Sequence, residues 1–349
     1  MKMFFILFAS SLLTIVGCDK TAESSQQSKI EKNSTLQSIK NRGEIICGIN
    51  DELPGFGFLN KKTGEYSGFD IDICKALSAA IFGDAQKIKF IPLTADKRFE
   101  ALQASTVDVL IGNTTRTLER EAVFNINFVP IKFYDGQGIM THKSRKAKTL
   151  EDLQGATIGM LERTTTIEHF ERKIASKDFY IPTFFTTQND MFKAYEIGRI
   201  DAITSDKSEL ATRKQMFPDP ENHIILDLTL SKEPLAPAVR NDDDQWHNIV
   251  SWVIFALFTA EEYNINSANV DLIKSTTKDS RIKELLGVEG NIGELLGLEN
   301  TWIYNIIKTV GNYEEIYNRN LGPTTKFNIP RGQNNQYNKG GLLYAPPLQ

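Results

Sequence analysis

A dense group of polar residues follows a short apolar run at residues 107–121, VDVLIGNTTRTLERE. The group holds the amide of Asn113, three threonine hydroxyls that include Thr115, and the guanidinium groups of Arg116 and Arg120. An arginine is suited to a carboxylate because its planar fork donates two parallel hydrogen bonds. Either arginine could bind an anion, or could instead pair with the acidic residues beside it on the protein surface.

A second polar group lies in residues 158–170, IGMLERTTTIEHF. Thr164 and Thr165 follow a predicted strand and precede a predicted helix with apolar periodicity. Thr165 and Glu168 fit the spacing of a capping box, which predicts a helix N-terminus at this point. The free N–H groups of a helix N-terminus also attract anions, so capping and ligand binding are compatible roles here.

Asp206 and Asp51 supply carboxylates, whose charge is opposite to that of the arginines. A free amino acid is a zwitterion, and a cleft that removes both of its charges from water must answer each with an opposite charge. Aspartate suits the ammonium group as arginine suits the carboxylate. Asp206 could equally cap the predicted helix SDKSELATR, and Asp51 has weaker support than Asp206.

These groups are held by predicted strands that alternate with predicted helices. In chain order the first elements are EIICGI, FDIDICKALSAAIF, KIKFIPL, RFEALQAS and VDVLIG. Strands separated by helices indicate parallel sheets with crossover helices. The expected fold class is therefore α/β.

An internal echo at an offset of 93 residues predicts two similar lobes. The pattern of residues 99–110 recurs in residues 192–203: a helix with apolar spacing turns into a short buried strand in both copies. The first strand ends at Gly112 and Asn113, and the second at Ser205 and Asp206. Ligands of open α/β sheets bind beyond the carboxyl ends of the strands, so the two ends are expected to face each other across a cleft.

Two extended segments, FYDGQGIMTH and PLAPAVR, predict the crossings between the lobes, and such a pair would form a hinge. The predicted first lobe comprises residues 36–136 plus 235–349, and the predicted second lobe comprises residues 139–233. The last part of the chain, residues 318–349, lacks apolar periodicity and is expected to wrap the first lobe.

Composition limits the class of ligand. The chain has 349 residues, a formal net charge of -4 and 41% hydrophobic residues, which is enough for two ordinary cores. This charge provides no basic field of the kind that neutralises a nucleic-acid backbone. We therefore expect no nucleic-acid partner, and a small ligand.

The first residues, MKMFFILFASSLLTIVGC, predict export. The apolar stretch is too short to span a membrane, which takes about 20 residues, and residues 1–17 are interpreted as a signal peptide. Its end resembles a bacterial lipobox, which implies an acylated Cys18; a plain secretory signal is the alternative. Asp19 resembles the signal that retains enteric lipoproteins in the inner membrane. Residues 18–35 are polar and predict a flexible tether.

The other two cysteines, Cys47 and Cys74, both lie in apolar runs. Export places them in an oxidising compartment, where a disulfide between them is one interpretation. Two buried thiols are the other.

Several longer motifs resemble the polar amino-acid binding proteins of ABC importers, and most closely the general L-amino-acid group among them. The resemblance covers nearly the whole chain after the tether. It rests on GFDID, GRIDA, LPGFGF, CKALSAAIFGD, RFEALQASTVDVLIGNTTRTLER, FYDGQG, LLGVEG, VGNYEEIYNRNLG and NKGGLLYAPP. It implies a two-lobed periplasmic-binding-protein fold of type II with two hinge crossovers, in a monomer that delivers L-amino acids to ABC permease subunits from the periplasm.

The resemblance also implies roles for particular residues. Arg120 would bind the α-carboxylate, with Arg116 ranking second. The remaining residues implied at the site are the carboxylate helpers Thr115 and Asn113, the second-lobe residues Thr164 and Thr165, the ammonium ligands Asp206 and Asp51, and the pocket wall Phe56. The family usually has glycine where Arg163 stands, which leaves the geometry of that loop open.

No enzymatic motif is present in the sequence. The four histidines are scattered, and H-E-x-x-H, G-x-S-x-G, C-x-x-C and the P-loop pattern do not occur, so the residues usual for zinc, nucleophilic and P-loop chemistry are missing. We expect no enzyme, no cofactor and no metal. The alternatives are a cyclohexadienyl or arogenate dehydratase on the same fold, and an amino-acid sensor lobe.

Overall fold

The computed structural model describes residues 34–174 and 179–348. Its strands are β1 (Ile45–Ile49), β2 (Glu52–Leu53), β3 (Gly57–Leu59), β4 (Tyr66–Ser67), β5 (Ile88–Pro92), β6 (Val109–Leu110), β7 (Ile126–Phe128), β8 (Phe133–His142), β9 (Thr157–Leu161), β10 (Ile181–Phe185), β11 (Ala202–Asp206), β12 (His223–Ile225), β13 (Lys232–Leu235) and β14 (Ala238–Arg240). Its helices are α1 (Thr35–Arg42), α2 (Phe69–Phe82), α3 (Arg98–Gln103), α4 (Leu118–Phe124), α5 (Thr165–Lys173), α6 (Gln188–Glu196), α7 (Lys207–Lys214), α8 (Asp244–Glu262), α9 (Val270–Thr276), α10 (Ser280–Leu285), α11 (Ile292–Leu296), α12 (Trp302–Thr309) and α13 (Tyr313–Asn320).

The strands form two lobes whose sheets share one topology. In the first lobe the order is β5-β1-β6-β14-β7, and in the second it is β10-β9-β11-β8-β12. In each sheet the first three strands are parallel, and the last two pairings are antiparallel. The expected α/β fold with two similar lobes is confirmed.

The internal echo of the sequence has a structural cause. Asp108 and Asp201, which are 93 residues apart, each sit just before the central strand of their sheet. The carboxylate of Asp108 accepts the N–H of Ile46 at 2.7 Å, and that of Asp201 accepts the N–H of Thr157 at 2.8 Å. Both therefore fix the start of the neighbouring parallel strand, and each also pairs with an arginine, Arg42 in the first lobe and Arg145 in the second.

The two crossings between the lobes run side by side. Strand β8 leaves the first lobe, and β13 returns to it in an antiparallel pairing with β8 that sets Leu235 opposite Phe133 and Lys232 opposite Gly136. The fold thus has the two crossings expected from FYDGQGIMTH and PLAPAVR.

Each lobe has its own hydrophobic cores. The largest core belongs to the first lobe and surrounds α2 and α8, which contribute buried side chains such as Leu77 and Ile254. Helix α2 begins after Gly68, whose φ is 131°. A Cβ atom there would lie 2.1 Å from the carbonyl oxygen of Phe56, so only glycine fits this close approach. The cores of the second lobe draw on residues 139–230.

The C-terminal part of the chain packs on the first lobe. Helix α13 begins with a capping box formed by Asn312 and Glu315. Beyond it, Leu343 is buried in the first-lobe core, and the side chain of Gln336 donates to the carbonyl of Phe258 at 3.0 Å. The last residues therefore wrap the first lobe, in a path held by side-chain hydrogen bonds more than by apolar periodicity.

Part of the N-terminal interpretation lies outside the described residues. The signal peptide, Cys18 and the tether up to residue 33 fall there. Helix α1 begins at Thr35, whose N–H donates to Asp243 at 2.7 Å; this is one residue before the predicted start of the first lobe. Within the described part of the chain, none of the helices is both long and apolar enough to cross a membrane.

Candidate functional site

A cleft lies between the lobes at the ends of the strands. Its empty volume is about 930 Å³, a figure that includes its opening to solvent. Its walls come from the segments after β1, β5 and β6 in the first lobe, and from the segments after β9, β10 and β11 in the second. The lining includes Asp51, Asn113, Thr115, Arg120, Thr164, Thr165 and Asp206, as expected from the sequence, and also Asn50, Arg98, Gln188 and Glu209.

Arg120 reaches the cleft from the first turn of α4. Thr117 caps this helix by accepting the N–H of Arg120 at 3.1 Å, which fixes where the side chain leaves the backbone. The guanidinium lies over the ring of Phe99, and its Nη1 donates to the carbonyl of Thr115 at 2.7 Å. Arg120 is 8% exposed, yet among the described residues no carboxylate lies within 4 Å of it.

Burial lowers the pKa of Arg120, and the charges of Glu233 and Asp206 partly offset this. The direction shows that desolvation of the guanidinium outweighs the acidic groups around it. The side chain is therefore a buried cation whose countercharge is incomplete, and such a cation is costly until an anion joins it.

Arg116 has the opposite environment. Its side chain is exposed, does not line the cleft, and forms an ion pair with Glu121 at 3.1 Å. This is the surface pairing that the sequence left open for both arginines. The fold assigns it to Arg116 and directs Arg120 inward.

Arg98 is a second buried arginine in the cleft. The neighbouring basic residues Lys97 and Arg98 have different environments. Lys97 is exposed and pairs with Glu100, whereas Arg98 is 7% exposed and its Nε has no hydrogen-bond partner among the described residues. Burial, together with the charge of Arg120, lowers the pKa of Arg98 to about 9.

The second lobe contributes the N-terminus of α5. Thr164 is the N-cap residue, and its hydroxyl donates to the carbonyl of Leu161 at 2.7 Å rather than accepting a backbone N–H. The capping box expected from Thr165 and Glu168 does not form, because the helix starts one residue earlier than that motif requires. The free N–H groups of the first turn therefore remain available to a ligand.

The backbone conformation at Arg163 explains why the family usually has glycine at this position. Its φ is 61°, in the left-handed region that favours glycine. The loop keeps this conformation with an arginine in place. Arg163 is exposed.

Asp206 enters the cleft from the end of β11. It is the N-cap residue of α7, but its side chain makes no capping hydrogen bond. Asp206 is 7% exposed, and no hydrogen bond or ion pair ties its carboxylate to another described residue. Burial raises its pKa well above the usual value, and the neighbouring carboxylates of Asp135, Glu233 and Glu209 raise it further. The carboxylate is thus free to meet a cation.

Glu233 is a buried carboxylate that the sequence reasoning missed. It is 0% exposed and lies in β13, where it accepts the hydroxyl of Thr115 at 2.5 Å and that of Thr165 at 3.1 Å. Ser231 and His169 also contact it, at 2.6 Å and 3.0 Å. One acid in the short segment SKEPL carries no signal of burial, because its position is set by the pairing of β13 with β8.

The hydrogen bonds to Glu233 give Thr115 and Thr165 a structural role. Both hydroxyls already donate to the Glu233 carboxylate, one from each lobe. The two threonines therefore join both lobes to the crossing strand β13.

Asn113 and Asp51 also border the cleft. The amide of Asn50 donates to Asn113 Oδ1 and to Gln188 Oε1, both at 2.9 Å. The second of these bonds joins the two lobes, so the structure represents a closed arrangement. Asp51 lines the same wall.

The expectation for Phe56 is wrong. Phe56 is fully buried and does not line the cleft; its ring packs against Phe69 and Phe133 at 6.0 and 5.1 Å. The turn after β2 points this aromatic side chain into the first-lobe core, away from the ligand. A wall made by an aromatic residue could not be separated from a core residue by sequence alone.

Cys47 and Cys74 form a disulfide between β1 and α2 in the first-lobe core. Of the two interpretations that the sequence left open, the structure has the bridge. In the part of the chain that the structure describes, no group of three or more His, Cys, Asp or Glu side chains could hold a metal ion.

Residues 45–283 match the bacterial extracellular solute-binding proteins, family 3, and the chain belongs to this family. It is thus a two-lobed solute-binding protein of the extracytoplasmic space. The putative amino-acid ABC transporter-binding protein YhdW of Escherichia coli strain K12 is 43% identical to it over 320 residues, which are 90% of this chain and 93% of the relative. The general L-amino acid-binding periplasmic protein AapJ of Rhizobium johnstonii is 43% identical over 319 residues, with the same coverage.

A solved structure extends the likeness to the fold. The ABC transporter periplasmic binding protein from Brucella ovis with glutathione bound superimposes with a TM-score of 0.88 at 42% identity. The match covers 91% of this chain and 100% of that chain.

Proposed function

We propose that this protein is the substrate-binding component of an ABC importer and that it binds the zwitterionic head of L-amino acids between its lobes. The observation that carries the proposal is a buried guanidinium and a buried carboxyl group, of opposite charge type, in one cleft. Arg120 from the first lobe and Asp206 from the second both lack an ion-pair partner among the described residues. The names of the relatives YhdW and AapJ support the same class of ligand.

In this proposal the α-carboxylate meets the Arg120 guanidinium and the N-terminus of α5. The ammonium group meets the Asp206 carboxylate, and Asp51 borders the same space. Hydrogen bonds to charged groups contribute about 1.5–3 kcal/mol each, so the two ends of a zwitterion together give a strong clamp. Because the partners come from different lobes, the full set of contacts exists only when the cleft is closed.

This clamp needs contacts from both lobes. We assign residues 36–136 plus 235–349 to the first lobe and residues 139–233 to the second, with β8 and β13 as the hinge. Ligand binding favours the closed state to the extent that its contacts are missing in the open one. Hinge closure in periplasmic binding proteins is a known example of this kind of transition.

Two further buried side chains of the cleft favour polar ligands of more than one size. Arg98 Nε and Glu209 Oε1 are buried polar atoms without a partner among the described residues, and the two side chains carry opposite charges. They can answer an acidic, amide or basic end of a ligand. Glutathione, the ligand of the similar Brucella ovis structure, is the second candidate, because it carries a zwitterion and further charges within one molecule.

Cleavage after residue 17 and acylation of Cys18 would anchor the protein to the inner membrane, with residues 18–35 as the tether. The closed monomer would then deliver its ligand to the permease subunits. Incorporation of labelled fatty acid into the wild-type protein, and its loss in Cys18→Ser, tests the anchor. A secreted, unlabelled wild-type protein would leave a plain signal peptide instead.

Calorimetry tests the ligand class directly. The mature protein is titrated with each of the twenty L-amino acids and with glutathione, and prephenate and arogenate are assayed for conversion in parallel. We expect stoichiometric binding of several amino acids and no turnover. Conversion of prephenate or arogenate would replace the transport proposal by the dehydratase alternative.

A further inference from the structure

Beyond the cleft, the C-terminal segment contacts the hinge itself. Residues after 283 lie outside the part of the chain that matches the family, and they include a 3-10 turn at Gly332–Asn334. Asn334 in this turn is 4% exposed. Its side-chain amide makes two hydrogen bonds to one backbone residue of β8: Tyr134 N–H donates to Asn334 Oδ1 at 2.7 Å, and Asn334 Nδ2 donates to the Tyr134 carbonyl at 3.0 Å.

These two hydrogen bonds lie on the edge of β8 that faces away from β13. Tyr134 lies opposite Pro234 in the pairing of β8 with β13. The Pro234 carbonyl accepts the N–H of Arg116 at 2.9 Å, on the side away from β8, so Tyr134 and Pro234 form a non-hydrogen-bonded pair. The N–H and carbonyl of Tyr134 turn to the outer edge of β8, where the Asn334 amide pairs with both. The side-chain amide thus takes the place of a neighbouring strand for a single residue.

The turn that carries Asn334 is fixed to the first lobe. Arg331 Nε donates to the Asn334 carbonyl at 2.8 Å, and Arg331 Nη2 contacts both oxygens of Glu261, in α8, at 3.1 and 3.0 Å. The guanidinium also lies over the rings of Tyr313 and Tyr317, at 5.0 and 4.9 Å from their centroids. These contacts anchor Asn334, and through it Tyr134, to the first-lobe core.

The next residue of β8 is attached to the other lobe. The carboxylate of Asp135 accepts the N–H of Ser208 at 3.2 Å and also its hydroxyl. Ser208 belongs to α7 of the second lobe. Along β8, the attachment thus changes from the first lobe at Tyr134 to the second lobe at Asp135.

We propose that Asn334 is a hinge-positioning residue: it keeps Tyr134 on the first lobe so that β8 bends at residues 135–137 when the cleft opens and closes. Without the two hydrogen bonds between Asn334 and Tyr134 the bend can spread toward Phe133, and the lobes sample a wider range of open orientations. The closed state, which the Asn50 to Gln188 hydrogen bond holds in this structure, then loses population. The proposal rests on the proposed function only for its effect on ligand affinity.

The test compares Asn334→Ala with Asn335→Ala in the full chain. Asn335 is the adjacent residue of the same type, and its side chain makes no hydrogen bond to any other described residue, so it is a matched control. Asn334→Asp is the isosteric variant: it keeps an acceptor for the Tyr134 N–H and replaces the donor to the Tyr134 carbonyl by a second acceptor. Hydrogen exchange across residues 133–137, small-angle scattering of the ligand-free protein and calorimetry with several amino acids are measured for each.

We expect Asn334→Ala to exchange about tenfold faster at the Tyr134 amide and faster across residues 135–137, as follows from the loss of a buried hydrogen-bonding partner. The ligand-free form should scatter as a more open particle. The affinities should fall by a common factor of about three to ten, with their rank order kept, because the hinge does not touch the ligand. Asn334→Asp should have an effect at least as large as that of Asn334→Ala, because a buried carboxylate oxygen would face the Tyr134 carbonyl. Asn335→Ala should match the wild type.

Three results would overturn the hinge role. These are equal exchange in Asn334→Ala and Asn335→Ala, faster exchange confined to Tyr134 with unchanged scattering, or a change in the rank order of ligands. The second would show that Asn334 only attaches the C-terminal segment. A wild-type protein that binds no amino acid would refute the proposed function alone, since exchange and scattering decide the hinge role without a ligand.

Discussion

Replacing Arg120 by methionine should abolish most ligand affinity without weakening the fold. Methionine keeps an unbranched stem for packing against Phe99 and removes the guanidinium that is proposed to hold the α-carboxylate. Truncating one partner of a buried, hydrogen-bonded charge pair costs about 2–5 kcal/mol. At about 1.4 kcal/mol for each tenfold, the dissociation constant should rise by roughly 30-fold to several thousand-fold.

In the ligand-free protein, Arg120→Met should leave the free energy of unfolding unchanged or raise it. Burial lowers the pKa of Arg120, which means that its charged form is destabilised by its surroundings in the absence of ligand. Removing that charge relieves a desolvation cost, while the lost hydrogen bond to the Thr115 carbonyl contributes about 1 kcal/mol in the opposite sense. We therefore expect a free energy of unfolding equal to or above that of the wild type.

The assay combines calorimetry for affinity with urea denaturation for stability. Arg116→Met is the matched control, since Arg116 lies four residues away, is exposed, and makes only a surface ion pair with Glu121. Its effect should stay within about 0.5 kcal/mol in both measurements. The reasoning is refuted if Arg120→Met binds amino acids within fivefold of the wild type, or if Arg116→Met loses as much affinity.

Two further predictions concern the opposite charge and the core. Asp206 has a raised pKa in the ligand-free protein, and a bound ammonium favours its ionised form; binding should therefore release a proton, and affinity should fall as the pH drops through that raised pKa. Calorimetry in two buffers of different ionisation enthalpy should show this release in the wild type, and Asp206→Asn should lose both the release and most of the affinity; equal enthalpies in the two buffers would contradict it. The Cys47–Cys74 bridge spans 27 residues, and replacing both cysteines by serine should cost about 3–4 kcal/mol in unfolding free energy while binding persists. An unchanged urea midpoint would show that the bridge adds no stability.

Much of the fold could be predicted because local sequence patterns determine it. The alternation of strands and helices gives the α/β class, and the echo from Asp108 to Asp201 gives two lobes, since the same carboxylate fixes the same strand start in each. Asn113 and Asp206 could be placed at facing ends of these lobes because strand ends at corresponding positions of a repeated topology meet at one cleft. The role of Arg120 was implied by the resemblance to the amino-acid binding proteins.

Burial could not be predicted in the same way. Arg98 and Glu233 are charged residues in segments that look exposed, and the fold buries both; Phe56 looks like a pocket wall, and the fold places it in the core. Local sequence sets the helix or strand, but the direction of a side chain depends on which distant element packs against it.

The sequence by itself determined the repeated architecture, the crossings and the residue types that can clamp a zwitterion. Only the tertiary structure decided which arginine is buried, that Glu233 ties Thr115 and Thr165 together, and that Asn334 reaches back 200 residues to hold Tyr134. The physical reason is that secondary structure follows from neighbours in the chain. Burial, charge pairing and hinge geometry instead follow from contacts between residues far apart in it, and these contacts exist only once both lobes and the C-terminal segment have packed.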